Sequence, residues 1–247
     1  MEINWTVLTY FVIGLFILNG FFRGWWKEAI TTVFLVILVF FLQQPSIAEA
    51  FTNIINTILN TIWEFLPDSL VELLRNFFEN GLGVQTATNG AIQADPSNGT
   101  TWLIVLVLFL VIAGLIGRSS LPYGRSGYAV RPIGSILGGL VGGLNGLILI
   151  NLVREYLDGR NLPGGTGTLP AEISMAGQGG GRVASAGLSI QATQLPDFTI
   201  LDSFLPWIII IIGLFIFWAA LINRVGISSK DGFRKVDYRQ PFGYKRY

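Results

Sequence analysis

Cysteine and histidine are both absent from the 247 residues. With them go disulfides, thiolate nucleophiles, imidazole bases and histidine-ligated metals, including the axial ligation of a haem or chlorophyll-type pigment. Charge is scarce as well: Asp, Glu, Lys and Arg make up 13% of the chain, against about 25% in a soluble domain. None of these four lies well inside any long apolar run, where proton relays, coupled carriers and voltage sensors keep their ionisable groups. A Ser/His dyad cannot be assembled and no acidic pair sits at membrane depth, so an intramembrane protease finds no support. Neither an enzyme nor a bound cofactor is expected. No basic residue precedes the first apolar stretch, whose positive cluster, Arg23 and Lys27, follows it. That stretch is expected to remain as a reverse signal anchor rather than to be cleaved.

Apolar length is what the chain has instead. Five stretches can cross a bilayer: Trp5–Phe22, Trp26–Leu42, Trp102–Gly117, Ile133–Val153 and Phe204–Ile222. The second is the shortest in its unbroken part, Ala29–Leu42, below the ~20 residues that a span needs. Trp25 and Trp26 extend it, and the charges require it. With the gaps numbered alternately, twelve of the sixteen basic residues fall on one side with three acids, a net +9. The other side holds four basic and twelve acidic residues, a net −8. Cationic loops stay in the cytoplasm, so the expected topology is N-out, C-in.

The expected fold is therefore all-α: a polytopic transmembrane bundle of five spans with amphipathic extracytoplasmic helices. Those helices are expected over residues 46–80, where Ile47, Phe51, Ile54, Ile55, Ile58, Ile62 and Phe65 recur at helical spacing. They lie either in the outer interface with apolar faces in lipid, or against other helices or a partner. A four-span membrane domain covers residues 1–158, followed by a flexible Gly-rich outer loop, 159–203, the fifth span, 204–222, and a basic cytoplasmic tail, 223–247.

Three candidate sites stand out. In the fourth span Gly134, Gly138, Gly142 and Gly146 repeat every fourth residue, with Gly139 and Gly143 in a parallel row. That spacing leaves a groove without side chains, into which another helix can pack backbone to backbone. The partner is either this chain or a second copy. Replacing Ile136 or Ile148, if lipid-facing, is expected to be nearly neutral. The turn between the first two spans holds Arg23, Gly24, Lys27 and Glu28; it should close a tight hairpin, with Trp25 and Trp26 at headgroup level and the cations reaching phosphate. In the tail, Arg224, Lys230, Arg234, Lys235, Arg239, Lys245 and Arg246 alternate with aromatic residues and are expected on the anionic inner leaflet or on a partner. The orientation rule already accounts for these positives, so no nucleic-acid binding is expected. Asn19, Asn145, Asn151 and Asn223 lie at or near the spans; interhelical hydrogen bonding is the simpler reading for Asn19 and Asn145, and the polar lining of a pathway the other.

Two of these segments resemble the colicin V production protein family of bacterial inner-membrane proteins. Phe22-Arg23-Gly24-Trp25-Trp26-Lys27-Glu28 is similar to the Arg-Gly-x-x-basic-Glu that follows that family's first span. Val130-Arg131-Pro132-Ile133-Gly134 resembles its Arg-x-x-Gly-x-x-x-Gly, at the same place in the order of spans. The likeness extends over Asn4 to Asp158. Thr6 and Val130 stand where the family often has acids, and the Gly-rich loop and fifth span lie beyond its four-span unit. The resemblance implies a protein of the bacterial cytoplasmic membrane connected with toxin export or envelope homeostasis. The expected function is a non-enzymatic scaffold or accessory subunit, whose partners are the bilayer and other membrane subunits or a second copy through the fourth span. A channel or passive transport component is the alternative.

Overall fold

The structure, a computed structural model, describes residues 2–76, 93–120, 128–159, 162–163, 182–185, 188–193, 200–201, 203–230, 233–238 and 241–246. Among these, seven helices occur: α1 Trp5–Arg23, α2 Trp25–Gln43, α3 Pro45–Phe65, α4 Asp68–Asn76, α5 Gly99–Ser120, α6 Pro132–Asp158 and α7 Leu205–Arg224. Five of them (α1, α2, α5, α6 and α7) are long and apolar enough to cross a membrane; each overlaps one of the five stretches read from the sequence, and α6 runs on past Val153 to Asp158.

Local chemistry sets the helix ends. The Asn4 side chain caps α1 by accepting from the Thr6 and Val7 amides at 3.0 and 3.3 Å. Gly24 alone joins α1 to α2, at φ 79° and ψ 159°, a region essentially reserved for glycine. Pro45 starts α3 and Pro132 starts α6 at the first helical turn, where a missing N–H costs nothing. Gly159, left-handed at φ 71°, closes α6 by donating to the Glu155 carbonyl.

Helix α2, the least certain span on length alone, is the centre of the bundle. Thirteen of its nineteen residues are buried, and α5, α6 and α7 all pack on it. Leu35, Leu38 and Val39 meet Trp102 and Leu106 of α5, Ile148 and Leu152 of α6 and Ile209 of α7 in the main core. A helix buried over most of its surface needs no polar face. Helix α1 sits at the edge, with only Trp5 and Gly20 buried. Although one residue links it to α2, its main partner is α6. The expected hairpin is therefore tight in connection, while α6 and not α2 takes most of the packing of α1.

Helix α3 runs on from α2 after Gln44. Phe51 packs on Phe41 with tilted rings, centroids 4.8 Å apart, and Asn56 exchanges two hydrogen bonds with the backbone of Ala94 at 3.0 and 2.7 Å. Ile54, Ile58, Ile62 and Phe65 remain exposed on its other face. The end of the 46–80 segment, residues 77–80, lies outside the described residues.

The all-α expectation needs one correction. Short strands form three small sheets: β1 Glu2–Asn4, β4 Leu188–Thr193 and β3 Arg182–Ser185 in that order; β2 Tyr128–Val130 with β7 Tyr244–Arg246; and β5 Val225–Lys230 with β6 Phe233–Tyr238. Parts of the Gly-rich loop and of the basic tail are thus strand. Leu188, Ile190 and Ala192 alternate with polar residues, the two-residue period of a strand. Asp231-Gly232 stands between the paired residues Lys230 and Phe233, the dipeptide that two-residue hairpin loops favour.

Candidate functional site

The polar residues of the bundle converge at the end that carries the α1–α2 turn. Glu28, in the first turn of α2, is 0% exposed, and Lys27 beside it 4%. Arg23 Nη1 reaches Glu28 Oε1 at 3.3 Å. From α6, the Asn145 amide donates to the Glu28 carboxylate and to its carbonyl, both at 3.0 Å. The Thr32 hydroxyl lies 2.8 Å from Asn145 Oδ1 and 2.9 Å from the Glu28 carbonyl; having one proton, it donates to one at a time. The cluster ties the turn, α2 and α6 together with the carboxylate fully partnered. Arg23, Gly24, Lys27 and Glu28 are thus brought together, yet they do not form a set aimed at headgroups: Lys27 and Glu28 point into protein. Trp25 and Trp26 are buried too, at 7% and 8% exposure. Their indole N–H groups donate to the Phe242 carbonyl at 2.6 Å and to Ser120 Oγ at 3.0 Å, which replaces the expected headgroup contact.

The fourth-span glycines face protein of this same chain. A side chain at Gly138 would strike the Gly20 carbonyl oxygen and come within 2.8 Å of the Gly24 backbone. One at Gly142 would strike the Phe16 carbonyl and lie 3.2 Å from Gly20 Cα, and one at Gly146 would lie 2.9 Å from Phe16 Cβ. The parallel row is looser: Gly139 has 3.6 Å to Ile17, and Gly143 meets only the Ile17 side chain, at 3.0 Å. Gly134 has a different neighbour, the backbone of Gly243 in the tail. Ile136 is 57% exposed, whereas Ile148 is fully buried in the main core with residues of α2 and α5, so the condition of lipid exposure holds for Ile136 and fails for Ile148.

The tail also departs from a segment laid on a leaflet. Strand β7 pairs antiparallel with β2. The Arg131 amide donates to the Gly243 carbonyl at 2.7 Å, and Tyr244, 3% exposed, donates from its hydroxyl to the Arg23 carbonyl at 3.1 Å. Residues 241–246 are therefore a latch over the α1–α2 turn and the start of α6. Lys245, in β7, is exposed. Arg224 ends α7, Lys230 ends β5, Arg234 and Lys235 lie in β6, Arg246 ends β7, and Arg239 lies outside the described residues. Tyr244→Phe should lower stability by about 1 kcal/mol, the worth of one intramolecular hydrogen bond. Denaturant unfolding in detergent would measure it, and an unchanged midpoint would remove the latch hydrogen bond from this account.

Asn145 bonds between helices. Asn151 donates within α6 to the Leu147 carbonyl at 2.8 Å and accepts from the Ile200 amide at 3.4 Å. Asn223 donates back to the Ala219 carbonyl at 2.7 Å. Asn19 is exposed on the outer side of α1. Two features escaped sequence reasoning although each left a trace. Gly20-Phe21-Phe22-Arg23-Gly24 is itself a small-xxx-small step, the match for Gly138 and Gly142. Arg154 and Glu155, 4% and 1% exposed, are buried near the end of α6, which at 27 residues, about 40 Å, runs past the ~30 Å hydrocarbon core.

These features define a multi-pass helical membrane protein, with five helices among the described residues long and apolar enough to span. Set beside known families, curated proteins and solved structures, the chain matches none of them.

Proposed function

We propose that this chain is a non-enzymatic scaffold or accessory subunit of a bacterial cytoplasmic-membrane complex, oriented N-out, C-in. The observation that carries the proposal is how its polar groups are used. Inside, the Asn145 amide is spent on Glu28 and Thr32, and the glycine row is filled by α1. On the outside, α1 leaves Asn19 exposed, and an amide on a spanning helix is a point of helix association. The likeness of Arg23–Glu28 and Arg131–Gly134 to the colicin V production protein family supports the bacterial inner membrane and a link to toxin export or envelope homeostasis. A passive transport component would need the glycine rows and Asn145 beside a pathway, and both are engaged by protein.

The test is purification of the full chain from its membrane in mild detergent, with sizing. A stoichiometric protein partner is expected, and Asn19→Leu should release it without changing the stability of the chain. A monomer that conducts solute in liposomes would overturn the proposal. Orientation has its own test, since the chain has no cysteine of its own. Ser97→Cys and Ser185→Cys should react with an impermeant thiol reagent from outside, and Ser228→Cys only once the inner face is opened. Outside labelling at Ser228→Cys would sink the topology.

A further inference from the structure

Helix α3 carries three different rows of side chains. Ala48, Thr52 and Trp63 are buried. Ile54, Ile58, Ile62 and Phe65 are between 50% and 82% exposed, and Glu49, Asn53, Thr57 and Glu64 are exposed as well. Helical spacing sets the three rows about 120° apart around the axis. Two contacts fix which way the exposed rows point. Phe51, on the side of Ile54 and Ile58 by its spacing from them, packs on Phe109 of α5 with ring centroids 6.0 Å apart. Phe109 is ten residues into α5, near the middle of a helix long and apolar enough to span. Asn56, on the side of Asn53, bonds instead to the backbone of Ala94, which precedes the start of α5 by five residues. The apolar row is thus turned towards the depth of the spans, and the polar row towards the end from which α5 emerges.

We propose that α3 lies along the membrane boundary, its apolar row covered by acyl chains of the leaflet opposite the α1–α2 turn and its polar row in water. Helix α3 follows α2 after Gln44 alone, at the end of α2 away from that turn, so it starts where a span leaves the bilayer. A helix wholly in hydrocarbon would hold Glu49 and Glu64 away from water, and one wholly in water would leave the apolar row unburied. Only the boundary serves both rows. Charge sets how the helix is held there. It contains two acids and neither Lys nor Arg, so it lacks the cations with which surface helices favour anionic lipid, and apolar burial alone keeps it in place. The inference rests on the five helices that can span and not on the scaffold role.

The chain has no cysteine, so a nitroxide label can be placed at one position at a time in the full chain, reconstituted in phosphatidylcholine vesicles. Labels at Ile58→Cys and Ile62→Cys should collide more with oxygen, which concentrates in lipid, than with a water-soluble nickel chelate. Labels at Asn53→Cys and Glu64→Cys should show the reverse. All four positions are exposed, so each variant should keep the melting temperature of the unaltered chain. Nickel contact at Ile58→Cys and Ile62→Cys equal to that at Asn53→Cys overturns the lipid contact. Shielding of the apolar row from both reagents overturns it too, whether in vesicles, where a second copy would cover the row, or in a complex recovered from the membrane, where a partner would. Exchanging phosphatidylcholine for phosphatidylglycerol should leave the collision ratios unchanged; a row that enters the bilayer only with anionic lipid overturns binding by apolar burial alone. Depth is the readout, so failure here leaves the scaffold proposal standing, and a chain without protein partners leaves this one standing.

Discussion

Gly138→Ala is expected to destabilise the bundle by at least the ~1–3 kcal/mol typical of overpacking, although alanine is the better helix former by about 1 kcal/mol. The new methyl group would meet the Gly20 carbonyl oxygen and lie 2.8 Å from Gly24 Cα. Both are backbone atoms, so neither can rotate away, and relief requires α1 to move off α6. In lipid no hydrophobic gain offsets that separation, because the acyl chains are as apolar as the helix. Gly142→Leu should behave the same way. Gly114→Ala supplies the contrast: nothing stands within 4 Å of its added carbon, so the helix-propensity gain is unopposed and stability should hold or rise. Ile136→Leu, on an exposed position, should be close to neutral. Thermal unfolding in one detergent for all four variants would decide. If Gly138→Ala and Gly114→Ala melt together, α1 is not held by close backbone approach.

Asn145→Leu should cost a similar or larger amount. Leucine keeps the approximate volume but removes both donors to Glu28, whose carboxylate then keeps Arg23 alone. Hydrogen bonds to charged groups are each worth about 1.5–3 kcal/mol, and Thr32 loses an acceptor in the same step. Asn19→Leu changes an exposed amide and should leave the unfolding midpoint in place. A double-mutant cycle with Glu28→Gln separates pairing from packing. In contact, the two substitutions should be non-additive by about 0.5–3 kcal/mol. Additive effects would mean that Asn145 acts by shape and the α2–α6 link lies elsewhere.

Both predictions begin at residues that stand out in the sequence and depend on neighbours that do not. The glycine period shows that α6 expects a close partner; that the partner is α1 follows only when Gly20 and Gly24 are brought up to it. Asn145 reads as an interhelical donor, but its acceptor is 117 residues away. Trp25, Trp26 and the basic aromatic tail carry the composition of a membrane interface, which is why headgroup contact is the natural expectation for them. The same composition serves a buried clamp once the Phe242 carbonyl and Ser120 hydroxyl come within reach of the indoles. Ile148 and Ile136 are chemically alike and twelve residues apart on one helix, yet one is in the core and the other on the surface. α6 has almost no amphipathic bias of its own to tell them apart, since lipid and protein interior present it with the same apolar surroundings.

Sequence by itself located the five apolar helices found among the described residues, because each requires a run of apolar residues and that requirement is local. It also determined that the α1–α2 connection is short and that α6 can be approached closely, the latter from the missing Cβ of its glycines. Tertiary structure alone decided which helix fills the glycine row, that α2 is the centre, that Lys27 and Glu28 turn inward, and that residues 241–246 latch over the turn. All of these depend on pairs far apart along the chain, and in a bilayer hydrophobicity does not say which apolar face meets protein and which meets lipid. Shape and hydrogen bonding make that choice, and both appear only when the helices are together.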